Sequence, residues 1–398
     1  MTFASFLENK PLYYKEIDPT RIVRAYAVLH PHIRHPKTVH IVGTNGKGST
    51  GRMLAYLAWR QGVRSKASGE RGYCVGHYTS PHILRFNERI WMDGANVSDA
   101  VLETAHQKLY AILGRETSEA LSYFEYTTLL AFVVFEACDV MVLEAGLGGE
   151  YDATNVCDKV LSVITPIGID HQAFLGETIE EIAQTKINSI QKRVLLAPQP
   201  YRETVVIAKE IAKAKEAKLL ECTRSNPTDE REKQVKEVAK EKGWGAYLVE
   251  NAMVALQALE ILDISYRIHD LSELELFGRF YPLCKNIRID VGHNPLAAQA
   301  IVKAMEPETV LIYNSLDDKE YASVLHLLKP KIKRVEIIAI ESQRATTKAE
   351  IEKALEAEGF AYREFHGEID EREHYLVFGS FYTVEAFLHT IGFQYPED

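Results

Sequence analysis

Gly43-Thr44-Asn45-Gly46-Lys47-Gly48-Ser49-Thr50 follows the apolar run Val39–Val42 and opens a stretch, Ser49 to Gln61, with Met53, Leu54, Leu57 and Ala58 at helical spacing. A glycine loop between a buried strand and a helix lets backbone N–H groups face an anion, and the helix N-terminus adds positive potential. Lys47 would then contact terminal phosphates, and the hydroxyl of Ser49 or Thr50 could reach a magnesium ion. The spacing departs from the strict G-x-x-x-x-G-K-[ST] pattern by a glycine after the lysine, and an ordinary glycine turn is the bland alternative. Magnesium takes oxygen ligands in an octahedron. Glu144 supplies a carboxylate at the end of the apolar run Val140–Leu143, just before Gly146-Leu147-Gly148-Gly149. A charge at the mouth of a buried strand is costly unless paired, so a cap or ion-pair role competes with metal binding. Asp170-His171 ends the run that starts at Leu161, in a comparable position. A histidine there is more often a structural hydrogen-bonding residue. Three polar strand ends in one crevice nevertheless favour a metal–nucleotide site.

Those residues need a parallel sheet to bring them together. Short, wholly apolar runs alternating with helical stretches read as strands buried on both faces and wrapped by helices. A second series follows an acidic stretch and Phe277-Gly278-Arg279-Phe280, with strands expected near Ile287–Val291, Val310–Tyr313, Val335–Ile340 and Leu376–Phe378. The expected organisation is two doubly wound α/β domains, residues 1–273 with a P-loop ATPase-like sheet and residues 274–398 with a smaller Rossmann-like one. Ligands of such sheets bind beyond the carboxyl ends of the strands. Residues 204–217 and 229–242, rich in Lys, Glu and Ala, read as solvated helices.

The chain has 398 residues, 46% apolar and 26% charged, which is globular composition. Its 46 Lys and Arg against 56 Asp and Glu give a net charge of −10, which argues against a general nucleic-acid or membrane-surface binder. Cys74, Cys138, Cys157, Cys222 and Cys284 form no C-x-x-C pair, so neither a zinc site nor a disulfide framework is indicated, and buried free thiols in a reducing compartment are expected. No basic-then-apolar leader and no long uncharged apolar window is visible, so the expectation is a cytoplasmic protein with no membrane span.

The glycine loop, together with Tyr78-Thr79-Ser80-Pro81-His82, Arg85-Phe86-Asn87-Glu88-Arg89, Gly146-Leu147-Gly148-Gly149 and Asp152-Ala153-Thr154-Asn155, resembles the folylpolyglutamate synthase/dihydrofolate synthase family of the Mur ligase superfamily. Matches continue in order through Gly168-Ile169-Asp170-His171, Asn251-Ala252, Gly278-Arg279-Phe280, Asp290, His293-Asn294-Pro295, Asp318-Lys319 and Gly379-Ser380, nearly the whole chain. The resemblance implies an amide ligase: ATP phosphorylates the carboxylate of a dihydropteroate or reduced folate, and the amine of L-glutamate displaces phosphate. Lys47, magnesium and Arg279 would offset the repulsion between anions.

The resemblance also assigns roles. Ser80, Glu144 and His171 are implied as magnesium ligands, with Lys186 as a carbamylated lysine bracing a second magnesium ion. Arg279 and Asp290 are implied to reach the nucleotide, Asn251 its adenine, and His293 and Ser380 the incoming glutamate. Phe124 matches a segment near the pterin pocket, although core packing is its ordinary reading. Lys47, His171, Lys186, Arg279 and His293 are the implied catalytic set, in a chain expected to act as a monomer. Departures are local: Glu150 stands where the family usually has a basic residue, Phe277 replaces a proline, and Lys186-Ile187-Asn188 replaces Lys-Ala-Gly. Two other readings compete. A cell-wall precursor ligase of the same superfamily would need a further domain, and only 42 residues precede Gly43. A nucleotide-dependent switch would have no use for the second-domain residues.

Overall fold

The computed structural model describes residues 2–10, 18–69, 72–222 and 228–394, which include every site residue named above. The chain divides into two compact units. The first comprises Met1–Ile167, Glu177–Asn226 and Asn251–Leu271; the second comprises Gly168–Gly176, Pro227–Glu250 and Ser272–Asp398.

The first unit is built on an eight-stranded sheet. Its strands are β1 (Lys37–Val42), β2 (Val75–Tyr78), β3 (Ile90–Met92), β4 (Ala95–Asn96), β5 (Val140–Glu144), β6 (Leu161–Ile164), β7 (Arg193–Leu196) and β8 (Lys218–Glu221). They lie in the order β4-β3-β2-β5-β1-β6-β7-β8. All neighbours pair in parallel except β2 with β3 and β3 with β4. The run from β2 to β8 therefore ends on one edge, where β2, β5, β1 and β6 deliver Ser80, Glu144, the glycine loop and Thr165. β1, β2, β5 and β6 are buried along nearly their whole length, as their unbroken apolar texture requires. The helix Tyr123–Val134 packs in the same core and has almost no polar face, so it lacks the amphipathic signature that marks a surface helix. Its start is set by a capping box between Ser122 and Glu125.

The second unit carries a six-stranded sheet of β9 (Tyr281–Cys284), β10 (Ile287–Ile289), β11 (Thr309–Tyr313), β12 (Ile332–Ile337), β13 (Tyr362–Glu364) and β14 (Tyr375–Phe378), in the order β13-β12-β11-β14-β10-β9. Only β9 is antiparallel. Both units are thus parallel-rich α/β layers, as the alternating pattern indicates. Two strand limits differ from the expected ones. The apolar run extends to Ile340, but β12 ends at Ile337 because its partner β11 ends at Tyr313, opposite it. β10 ends at Ile289 because Asp290 turns its carboxylate onto the following loop.

Candidate active site

The glycine loop leaves β1 at Gly43. A β-carbon there would drive into the Thr165 hydroxyl and lie 2.9 Å from its carbonyl oxygen, so the residue that follows β6 leaves room only for glycine. Thr44 and Asn45 both donate their N–H groups to the Pro166 carbonyl, which fixes the loop against the end of β6. Gly46 takes φ of 85°, and a side chain there would also meet the Asn251 amide oxygen at 2.7 Å. The helix Lys47–Ala67 then begins with no side-chain cap, the geometry that leaves first-turn N–H groups facing outward for an anion. Lys47 Nζ donates to the Gly43 and Thr44 carbonyls at 3.1 and 3.2 Å, so the ammonium lies inside the loop's own curl. Asn251 donates to Ser49 Oγ at 2.8 Å, and Thr50 Oγ1 is fully buried with no hydrogen-bond partner among the described residues. An orphaned hydroxyl beside an uncapped helix start and a glycine cradle fits a metal-bound phosphate chain.

Glu144 is buried at the tip of β5 and accepts a hydrogen bond from Thr79, next to Ser80 in the loop after β2. One carboxylate with neighbouring hydroxyls suits magnesium, which keeps waters and takes phosphate oxygens rather than demanding a full protein cage. Lys186 is buried, contrary to what a lysine in an amphipathic segment suggests. Its Nζ donates to the Gly43 carbonyl at 3.1 Å, which carries it to the root of the phosphate loop. Gly149 makes this approach possible, since a side chain there would collide with the Lys186 main chain.

Phe124 lies across Gly146, where a β-carbon would stand 2.6 Å from the ring, and its centroid is 5.9 Å from that of Tyr78. Close by in sequence to Ser80, the Arg85–Arg89 segment proves to be chiefly a clamp. Glu88 accepts from the N–H groups of Ile83, Leu84 and Arg85 at 2.7–2.8 Å, and Asn87 ties the segment to Val97 and Asp99. The clamp presents Arg89, a buried guanidinium that pairs with no carboxylate among the described residues. It donates to His82 Nδ1 at 2.7 Å and lies over the Tyr123 ring at 5.2 Å. Burial and then the Arg89 charge push the His82 pKa down to about 3, so the imidazole stays neutral. No role was assigned to Arg89 or His82 from sequence; the signal was present in the motif but not its division between clamp and cation.

In the second unit, Asp290 is buried and already engaged. Its carboxylate accepts from Phe280 N–H at 2.7 Å, Gly292 N–H at 2.7 Å and the Tyr247 hydroxyl at 3.2 Å. Burial raises its pKa despite the opposing pull of Arg279 and these donors. It thereby joins the loop carrying Arg279 to the loop carrying His293. Arg279 lies over the Phe381 ring at 5.4 Å, beside Ser380 in sequence. Ser380 is buried and caps the helix Phe381–Thr390 by accepting from Thr383 N–H at 3.0 Å.

His171 lies in the Gly168–Gly176 segment of this unit, with left-handed φ of 54°. The buried Asp170 beside it accepts from Lys319 at 2.7 Å and Asn294 at 3.3 Å, with His293 Nε2 at 3.5 Å. Burial alone would raise Asp170, but the His293 hydrogen bond and the charges of His293, His171 and Lys319 hold it well below the usual carboxylate range. Asp170 and Lys319 thus bring His171 and His293 together, a linkage across 149 residues that local reading of the Asp318-Lys319 motif missed.

A glycine loop at the strand ends of one parallel-rich sheet, and a second α/β unit that carries Arg279, His293 and Lys319, are the parts that the class of ATP-dependent ligases would require. No family model matches the chain. The chain is 30% identical over an alignment of 437 positions to the dihydrofolate synthase/folylpolyglutamate synthase of Haemophilus influenzae, covering 97% of this chain and 96% of that one. A crystal structure of Helicobacter pylori folylpolyglutamate synthetase is 37% identical, with a TM-score of 0.77 over 98% of this chain and 97% of that chain. Escherichia coli FolC in complex with DHPP and ADP is 26% identical, with a TM-score of 0.81 over 98% of both chains. The chain belongs to the dihydrofolate synthase/folylpolyglutamate synthase family.

Proposed function

We propose that the chain is an ATP-dependent amide ligase that adds L-glutamate to dihydropteroate and to the glutamate tail of reduced folates, acting as a cytoplasmic monomer. The observation that carries this reading is family membership over nearly the full length, joined to an intact phosphate loop with its buried acid. The cell-wall alternative finds no support among relatives that carry the folate names. The proposed division of labour gives residues 1–273 the nucleotide and folate, and residues 274–398 the glutamate.

A carboxylate oxygen of the folate substrate attacks the γ-phosphorus, the bond to ADP breaks, and an acyl phosphate forms. The neutral amine of glutamate adds to the acyl carbon; loss of inorganic phosphate and an amine proton leaves the amide. The Lys47 ammonium and the first-turn N–H groups of its helix hold the phosphate charge. Ser80, Glu144 and His171 would hold magnesium, with Lys186 as a carbamate for a second ion; the metal supplies charge neutralisation on the phosphate oxygens. Buried Lys186 is suited to that modification because its amine is sheltered and aimed at the loop. Asn251 braces Ser49 and packs against Gly46, and is the residue assigned to the adenine. Phe124 and Arg89 supply an aromatic face and an unpaired cation for a flat, anionic folate. Arg279 and His293 act on the transferring groups, while Asp290 and Ser380 support them.

The test is glutamate incorporation measured in parallel with dihydropteroate and tetrahydrofolate, at saturating ATP and magnesium. Products from both, with ADP formation dependent on glutamate, are expected. Product from only one substrate removes the bifunctional part, and glutamate-independent phosphate release with no product removes the ligase reading.

A further inference from the structure

The five cysteines look unrelated in sequence, yet the first unit brings two of them together. Cys74 immediately precedes β2, and Cys138 lies two residues before β5. Because β2 and β5 pair in parallel with Val75 opposite Val140, residues 64 apart in the chain meet where the two strands begin. Their sulfurs are 3.0 Å apart, closer than two sulfur atoms sit without a bond or a hydrogen bond between them. The backbone holds them there: Cys74 accepts at its carbonyl from Asp139 N–H at 2.8 Å and Val140 N–H at 3.3 Å, and its own N–H donates to the Asp139 carboxylate at 3.1 Å. Cys74 is partly exposed and Cys138 is buried. A disulfide needs sulfurs at about 2.05 Å, so a modest side-chain rotation separates the dithiol from the bonded form.

We infer that Cys74 and Cys138 are a redox modification site, closed to a reversible disulfide by small-molecule disulfides of the glutathione type. The partly exposed Cys74 thiolate attacks one sulfur of the small disulfide, forming a mixed disulfide and releasing one thiol. The Cys138 thiolate then attacks Cys74 Sγ, breaks the mixed bond and releases the second thiol. The two protein thiols give up two protons and two electrons, and the small disulfide takes up both electrons. The Cys74 hydrogen bond and burial keep Cys138 mainly protonated, which makes the second step the slower one and speeds it at higher pH. In a reducing compartment the pair rests as thiols and closes only when the thiol pool is oxidised.

The closed form cross-links a long loop at the strand ends remote from Glu144 and Ser80, so it acts on the unfolded chain. Its thermal midpoint is expected to rise by about 5 °C relative to the reduced protein. The experiment treats the folded full-length chain with excess glutathione disulfide, quenches in acid, alkylates under denaturing conditions and maps peptides by mass spectrometry. A Cys74–Cys138 linked peptide that dithiothreitol removes supports the site, as does a Cys138→Ser variant that stops at a glutathione adduct on Cys74. Alkylation of all five thiols in the treated wild type overturns it. A persistent Cys74 adduct in the wild type, with no linked peptide, overturns it equally.

Discussion

Asp290 offers a direct measurement of whether a family residue touches substrate or holds the residues that do. Its carboxylate satisfies the Phe280 and Gly292 N–H groups and the Tyr247 hydroxyl. In Asp290→Ala all three donors lose their acceptor. A donor left unpaired away from water costs about 1–3 kcal/mol, and the Gly292 and Tyr247 groups are only partly sheltered, so the sum falls towards the lower end. Relief of the buried charge, whose cost shows in the raised pKa, offsets a further part. The net expectation is a loss of about 2–4 kcal/mol, against about 1 kcal/mol for Tyr247→Phe, which removes one donor and leaves the carboxylate paired. Turnover should fall with stability, because the loops bearing Arg279 and His293 lose their common anchor. Denaturant titration gives the energy, and hydrogen exchange of peptides spanning residues 278–293 localises it. If Asp290→Ala keeps wild-type stability and exchange while turnover collapses, the carboxylate acts on the nucleotide and the anchoring argument is wrong.

Three further outcomes are expected. Lys47→Ala should lower turnover by about a hundredfold or more with unchanged circular dichroism, since it removes a preorganised cation from the phosphate chain; near-normal turnover would sink the phosphate-loop reading. Gly43→Ala should destabilise the first unit by about 1–3 kcal/mol or prevent its folding, because the added carbon forces β1 away from Thr165; a wild-type melting point would show that this strand pair yields. Burial holds His40, His77 and His82 neutral in the native state, with Lys159, Arg52 and Arg89 respectively adding to the effect. The unfolded chain takes up these protons near pH 6.5 and the native state does not, so stability is lost as pH falls below that value. The loss approaches about 1.4 kcal/mol per pH unit for each histidine. Urea midpoints between pH 6.5 and 4.5 should show a shallower fall for His82→Gln; an identical slope would mean that His82 titrates freely.

The strands flanking the site were legible because burial on both faces leaves unbroken apolar runs, as at Val39–Val42 and Val140–Leu143. The helix Tyr123–Val134 was less so, because the same total burial erases the period that betrays an amphipathic helix. Lys186 illustrates a different limit. Its burial depends on the helix Ile179–Ile187 approaching Gly149 closely, and nothing in the local sequence of either segment reports that approach. The linkage of Asp170 to Lys319 and the meeting of Cys74 with Cys138 likewise arise from packing between distant segments.

Recognising a motif and understanding its side chains are separate problems, and the second yields to counting hydrogen bonds. Glu88 sits in the most specific block of the chain, yet its carboxylate is taken by three backbone N–H groups. Asp290 and Ser380 are similarly committed, one to joining two loops and the other to starting a helix. Arg89 is buried to nearly the same degree as Glu125, but Glu125 has Arg21 while Arg89, among the described residues, meets the neutral His82 and aromatic faces and no carboxylate. A sheltered cation without an anion is costly unless a ligand supplies one. That asymmetry separates groups that shape the site from groups with capacity left for a substrate, and it is the ground for proposing Arg89 as one of the second kind.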